Sequence, residues 1–339
     1  MRVTSLGSGS SGNAYVIEAG PNGRTRLLVD AGFPARLLSE RLRLAECAPH
    51  LLSGVLITHE HSDHILGLPF LLKRHRIPVY ADPRTLSEIR RIFSAGELRS
   101  ESGALINLDL QADVFEGERS QVSETGSQSE AATVPSQGTV ENAGEVVAGK
   151  SWEDSTLWRA LPAGTSCVIG DVQVHSFPVS HDAAAPCGYI LSAGGCRVCL
   201  VTDSGEVTPV MLEAIAQADL LILESNHDRE RLIRGPYPYY LKERILSPTG
   251  HLSNAQAASA VLKTWRTDAV RWLWLAHLSR TNNTRTLALT SMRQSLQQAR
   301  VSLAQLHISV LSHDMGGTWD SARLWRDEHL WTMPSGKNT

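Results

Sequence analysis

A layered α/β fold is what this sequence predicts, on three observations. Short apolar runs with strand character alternate with segments of helical spacing. Ionisable side chains recur directly after those runs, at Asp30, His59, His181, Asp203, Glu224 and His277. The composition, 42% hydrophobic and 20% charged over 339 residues, is that of a soluble globular chain long enough for one large domain, or for one domain carrying an insertion.

Taken in order, the chain opens on a strand over 2–6 and returns over 14–19 through Gly7-Ser8-Gly9-Ser10-Ser11-Gly12. That turn has GxGxxG spacing, with Asp30 downstream where a ribose carboxylate would stand. A dinucleotide site needs a helix after the glycines, and Asn13-Ala14-Tyr15-Val16-Ile17-Glu18 is strand-like, so a hairpin is the better reading. A third strand over 26–30 ends in Asp30, helical spacing follows over 33–44, and a buried strand over 54–57 leads to the densest polar cluster. A helix over 65–75, a short strand over 78–80 and a helix over 86–93 complete the first half. From about 116 to 155 the chain turns to Ser, Gly, Gln, Glu and Ala with few large apolar residues, a composition that predicts a disordered insertion. Strands resume over 167–177 around a Gly-Asp turn, then over 188–191, 196–201, 218–223 and 308–311. The expected boundaries are 1–115 and 156–332 for two halves of one domain, 116–155 for the insertion and 333–339 for a frayed tail.

Thr58-His59-Glu60-His61-Ser62-Asp63-His64 follows the 54–57 strand. Residues two apart on an extended chain point the same way, so His59 and His61 converge on one metal while Asp63 and His64 turn to a second. An all-His/Asp set without Cys suits a catalytic zinc, iron or manganese site better than a closed structural one. His181, Asp203 and His277 stand at further strand ends, where each taken singly is commonplace.

His59-Glu60-His61-Ser62-Asp63-His64 resembles the HxHxDH signature of metallo-β-lactamase fold hydrolases, which implies an αββα four-layer sandwich with a two-metal site along one edge. By that resemblance His59, His61 and His181 hold one ion, Asp63, His64 and His277 the other, and Asp203 bridges them; zinc comes first, with manganese or iron as alternatives. Leu221-Ile222-Leu223-Glu224-Ser225-Asn226 and Gly250-His251-Leu252-Ser253-Asn254 resemble two segments of the RNase Z-like phosphodiesterases, with Leu223 where a histidine stands in them and Leu252 inserted before the serine. A likeness covering nearly all of the chain outside the insertion is to the bacterial YycJ/WalJ family, on Ser5-Leu6-Gly7-Ser8-Gly9-Ser10-Ser11-Gly12-Asn13, Val179-Ser180-His181-Asp182, Glu224-Ser225-Asn226-His227-Asp228, Gly235-Pro236-Tyr237-Pro238 and Ala276-His277-Leu278-Ser279-Arg280-Thr281-Asn282-Asn283-Thr284. It implies a 5′-to-3′ exonuclease acting on double-stranded DNA. Asp63, as ligand and neighbour of the shared water, is placed to orient it or take its proton, and the quoted segments point to His251, oriented by Glu224, as the proton donor to the leaving oxygen. The rival classes are a small-molecule hydrolase of the thioesterase or lactamase type, and a regulatory protein whose metals only stabilise the fold.

Charge does not choose among these. The net charge is −3, but residues 115–160 carry eight acids and three bases, so the remainder stands at about +2. Five cysteines without a paired framework fit a reducing compartment, and Cys196 and Cys199 read as buried strand residues. With no eighteen-residue apolar stretch and no signal peptide before the first strand, the expected location is the cytoplasm. His251 could simply precede a helix capped by Ser253, His227 could be a substrate contact or a more distant support, and His313 suits a structural or surface role.

Overall fold

The N-terminal hairpin starts a sheet that the first half of the chain extends strand by strand. A computed structural model describes residues 1–99, 105–106, 154–267, 270–302 and 305–325. Strands β1 (Arg2–Gly7), β2 (Ala14–Ala19) and β3 (Thr25–Val29) run antiparallel, helix α1 (Ala35–Leu44) crosses back, and β4 (Gly54–Leu56) joins β3 in parallel. Next come α2 (Ser62–Ile65), α3 (Leu68–His75), β5 (Val79–Ala81) and α4 (Pro83–Ala95), whose first turn is capped by Asp82 accepting from Arg84 N. The two-residue strands β6 (Leu98–Arg99) and β7 (Leu105–Ile106) pair with each other, and β8 (Trp158–Ala160) adds to β5.

A second sheet begins as an antiparallel meander of β9 (Ser166–Ile169), β10 (Val172–Pro178), β11 (Cys187–Ala193) and β12 (Cys196–Val201). It continues in parallel through helix α5 (Pro209–Ala216), β13 (Leu220–Glu224), helices α6 (Arg229–Arg234), α7 (Tyr239–Leu246) and α8 (Asn254–Lys263), β14 (Arg271–Ala276), α9 (Arg285–Gln298) and β15 (Leu306–Val310). Finally β16 (Thr318–Asp320) returns to pair with β1. The sheet orders are β16-β1-β2-β3-β4-β5-β8 and β15-β14-β13-β12-β11-β10-β9.

Three apolar cores separate four layers, as expected of an αββα sandwich. One lies between the first sheet and α1, α3 and α4, one between the sheets, and one between the second sheet and α5, α8 and α9. Strand alternation assigns the sides: in β2, Ala14 and Val16 face the helices while Tyr15 and Ile17 face the other sheet. In β13, Leu220 and Ile222 face the gap between sheets and Leu221 and Leu223 face the helices, so Glu224 falls in register with the gap. The same alternation separates Cys196, in the core between the sheets, from Cys199, on the helix side; both are free thiols.

The expected helix over 65–75 divides into α2 and α3 around Gly67. A Cβ on Gly67 would come within 2.6 Å of Phe33 O, so this turn is pressed onto the chain leaving β3. Gly32 is tighter still: its Cβ would lie 1.6 Å from Asp63 O, and Asn13 N donates to that same carbonyl at 2.8 Å. Gly32→Ala is therefore expected to destabilise the protein by about 1–3 kcal/mol and to shift Asp63. Urea unfolding together with a metal titration checks both effects. The predicted insertion lies outside the described residues except for Asp154, which pairs with Arg76, and Ser155. The tail over 333–339 lies outside them too. Among the described residues no helix is long and apolar enough to cross a membrane.

Candidate metal centre

The site forms where several strands of both sheets end along one edge. Beyond β4, His59, His61, Asp63 and His64 turn in; from the second sheet come His181, Asp203 and His277, each beyond a strand, and Glu224, the last residue of β13. Potential ligand atoms of His59, His61 and His181 lie within 4.8 Å of one another, as do those of Asp63, His64 and His277, and those of His59, His64 and Asp203. The two predicted ligand trios are thus adjacent, with Asp203 beside both: its carboxylate lies 3.2 Å from His64 Nε2 and 3.0 Å from His277 Nδ1 in one trio, and it groups with His59 of the other.

Of the ligand imidazoles, His59, His64, His181 and His277 are each oriented through the other nitrogen. His64 Nδ1 donates to Asp30 Oδ2 at 2.8 Å, His181 Nδ1 to the Gly250 carbonyl at 2.9 Å, and His277 Nδ1 to Glu224 Oε1 at 3.0 Å. His59 Nδ1 meets Thr58 Oγ1 at 3.0 Å. The opposite nitrogens then converge: His181 Nε2 lies 3.3 Å from His61 Nδ1, and His277 Nε2 lies 3.4 Å from Asp63 Oδ2. Such outer partners set the tautomer and raise the basicity of a ligating ring. Asp30 and His277 both adopt left-handed backbone, φ 59° and 51°, which turns the chain sharply into the site at modest conformational cost.

Burial sets the protonation pattern. It holds His59 well below its ordinary value and pushes His181 down to about 4, so both are neutral with a lone pair to offer. Burial also works against ionised Asp63 and Asp203, but His64 and His277 outweigh it and keep both carboxyls well below the usual range. His59 Nε2 and Asp63 Oδ1 are buried without a hydrogen-bond partner. Orphaned lone pairs of this type are costly in a protein interior and are what a cation would take up, so the residues fit a pair of divalent ions.

Beside the trios, Glu224 is fully buried and uses both oxygens. Oε2 accepts from Ser204 N at 2.8 Å and Leu252 N at 3.0 Å, which locks the carboxylate in place. Oε1 accepts from His251 Nδ1 at 2.8 Å as well as from His277. Burial disfavours the His251 imidazolium, yet Glu224 more than compensates and raises the ring above its ordinary value. Asp203, Glu224, His251 and His277 also form a group close enough to share a cation. Because two backbone amides and two imidazoles already engage Glu224, it is better fitted to position rings than to bind metal.

The family match agrees with this geometry. Residues 7–175 match the metallo-beta-lactamase superfamily and residues 132–272 the beta-lactamase superfamily domain. Over 293 residues, 86% of this chain and 88% of the relative, the sequence is 32% identical to exodeoxyribonuclease YycJ of Bacillus anthracis. Over 294 residues, 87% of each, it is 31% identical to exodeoxyribonuclease WalJ of Streptococcus pneumoniae. The chain belongs to the YycJ/WalJ family. Its fold is shared with the metallo-beta-lactamase fold protein YhfI from Bacillus subtilis, at a TM-score of 0.56 and 16% identity over 94% of this chain and 99% of that one. For a YycJ/WalJ chain the metallo-β-lactamase fold implies divalent metal binding, and the His/Asp groups above are the candidate ligands.

Several supports of the site lie outside the set of residues the sequence predicts. Asp30, a strand-end carboxylate outside the predicted ligand set, accepts from His64 Nδ1 and from Thr58 N and Oγ1. Asn13 Nδ2 donates to Asp63 Oδ2 at 3.3 Å, and Ser8 Oγ accepts from His277 N at 2.8 Å. The available signal for Asp30 was its position at a strand end, shared with the other site residues. Asp30→Ala is expected to weaken metal affinity about 10–100-fold, as read by competition with a chromogenic chelator. His227 is buried with neither ring nitrogen hydrogen-bonded, and His313 follows β15, where its carbonyl accepts from Arg41 Nη1.

Proposed function

We propose that this chain is a metal-dependent phosphodiesterase, an exonuclease that degrades double-stranded DNA from 5′ ends with two zinc ions as cofactor. The exodeoxyribonuclease relatives support the substrate class, and the nitrogen and oxygen donor set supports zinc ahead of manganese or iron. The observation that carries the reading is the His251–Glu224 pair beside the two ligand trios. A sugar alkoxide is a poor leaving group and needs a proton, whereas a thiolate leaves without one. A thioesterase therefore has little use for a buried carboxylate that holds a histidine in one tautomer.

In this mechanism His59, His61 and His181 hold one ion, Asp63, His64 and His277 the other, and Asp203 lies between them. When bound, the ions polarise the phosphodiester and acidify the attacking water. Asp63 orients that water and accepts its proton. Glu224 fixes the His251 ring through Nδ1, and His251 Nε2 delivers a proton to the departing sugar oxygen.

Incubation of metal-loaded protein with labelled duplex DNA, bis(p-nitrophenyl) phosphate and a thioester separates the classes. Nucleotide release from duplex ends, with binding that weakens as salt rises, is the expected outcome. Thioester turnover without phosphodiester cleavage overturns the reading, and absence of turnover on all three points to a regulatory protein.

A further inference from the structure

A cavity of about 160 Å³ opens beside His251, and nothing in the mechanism above uses it. Its floor belongs to the site: His251 itself and Asn226, whose Nδ2 donates to the His277 carbonyl at 3.0 Å. Its opposite wall comes from the segment between β13 and α8, through Tyr237 ahead of α7 and Leu241, Arg244 and Ile245 within it. That wall is firmly attached. Arg244 Nε donates to Asp182 Oδ2 at 2.6 Å, Arg231 Nε to the Thr281 carbonyl at 2.9 Å, and His251 N to the Ile245 carbonyl at 3.0 Å. A Cβ on Gly250 would come within 2.3 Å of the Arg244 and Ile245 carbonyls, so the contact between helix and site leaves no slack. The cavity is a preformed part of the fold.

We infer that this cavity is the leaving-group subsite, and that it takes one ring of the nucleoside that departs. The inference rests on the phosphodiesterase reading above and extends it. His251 Nδ1 is committed to Glu224, so only Nε2 can give a proton, and the ring lines this cavity. In the step concerned, water oxygen adds to phosphorus and the bond from phosphorus to the sugar oxygen breaks. The electron pair stays on that oxygen, which takes the His251 proton, while Asp63 receives the proton lost by the water. Whatever carries the departing oxygen must therefore reach His251, and the space there is this cavity.

Size and lining narrow the occupant. An apolar cavity of about 150 Å³ admits a benzene ring, so the volume here suits a single sugar or pyrimidine ring and not a whole dinucleotide. Leu241 and Ile245 offer an apolar wall, the Tyr237 ring a stacking surface, and Asn226 a polar edge. Phosphate alone would leave the apolar wall without a partner.

Equilibrium binding to the metal-loaded protein tests this, with thymidine 3′-monophosphate, deoxyribose 3-phosphate and inorganic phosphate as probes and metal content measured alongside, because a nucleoside departing from a 5′ end leaves through its 3′ oxygen. The nucleotide is expected to bind about tenfold or more tightly than inorganic phosphate. Leu241→Trp, which fills the cavity, should bring the nucleotide close to inorganic phosphate in affinity while leaving phosphate affinity and metal content unchanged. Tyr237→Ala should lower nucleotide affinity in the same direction and serves if the tryptophan variant does not fold. Deoxyribose 3-phosphate binding as tightly as the nucleotide assigns the cavity to the sugar; binding like inorganic phosphate assigns it to the base. Equal affinity for nucleotide and inorganic phosphate in the unmodified protein, or nucleotide affinity untouched in both variants, overturns the subsite. Should the protein cleave duplex DNA while both variants bind nucleotide normally, the subsite fails and the nuclease reading stands. Nucleotide preference abolished by Leu241→Trp in a protein that cleaves no phosphodiester keeps the cavity as a nucleotide-binding site but overturns both its leaving-group role and the nuclease.

Discussion

Replacing His251 with alanine is expected to lower turnover on duplex DNA by about 10²–10⁴-fold, the range a positioned general acid supplies, without loss of metal. The expectation follows from how the ring is held: Glu224 Oε1 takes Nδ1 at 2.8 Å, while Oε2 is anchored by Ser204 N and Leu252 N. The loss should shrink on bis(p-nitrophenyl) phosphate, because p-nitrophenolate leaves without a proton. Two measurements on one variant, elemental analysis and the ratio of rates on the two substrates, decide the matter. Since His251 also belongs to a group that could share a cation with Asp203, Glu224 and His277, loss of metal in His251→Ala would make it a ligand. An equal fall on both substrates would make it a binding group. Glu224→Gln should follow His251→Ala in direction, because an amide can no longer favour the charged ring and meets Ser204 N or Leu252 N with a donor.

Asp203→Ala should be the most damaging change to the metals. Its carboxylate stands 3.2 Å from His64 Nε2 and 3.0 Å from His277 Nδ1 in one trio and falls within 4.8 Å of a ligand atom of His59 in the other, so one substitution withdraws charge from both. Metal affinity should fall by more than the roughly 10–100-fold expected for an orienting partner such as Asp30, and turnover should fall with it. A second readout is independent of activity. Ions bound at about a thousand times their dissociation constant stabilise the folded protein by about 4 kcal/mol, so a chelator should lower the Tm of the unmodified protein by several degrees and have much less effect on Asp203→Ala. A chelator shift of full size in that variant would mean that the ions sit elsewhere. His59→Ala should behave in the same way but spare the Asp63, His64 and His277 trio.

What the sequence determined by itself was local. His59, His61, Asp63 and His64 lie on six consecutive positions, so backbone parity and one turn of chain dictate how they converge, and no distant contact is needed to read them. His181, Asp203 and His277 were legible because each ends an apolar run, and their joint order matched a known pattern. The tertiary structure decided the rest. Leu220-Leu221-Ile222-Leu223 is apolar on both faces, so nothing in the run says which way Glu224 points until the sheet is covered on both sides. Asp30 reaches His64 because β3 and β4 pair with Val29 opposite Leu56, a register that no local signal specifies. The cavity beside His251 exists only because α7 is carried back over the site and fastened there by Arg244 to Asp182, 62 residues away in sequence. Side chains brought together by strand order and helix docking leave no periodic trace in the chain, whereas ligands gathered within a single turn do.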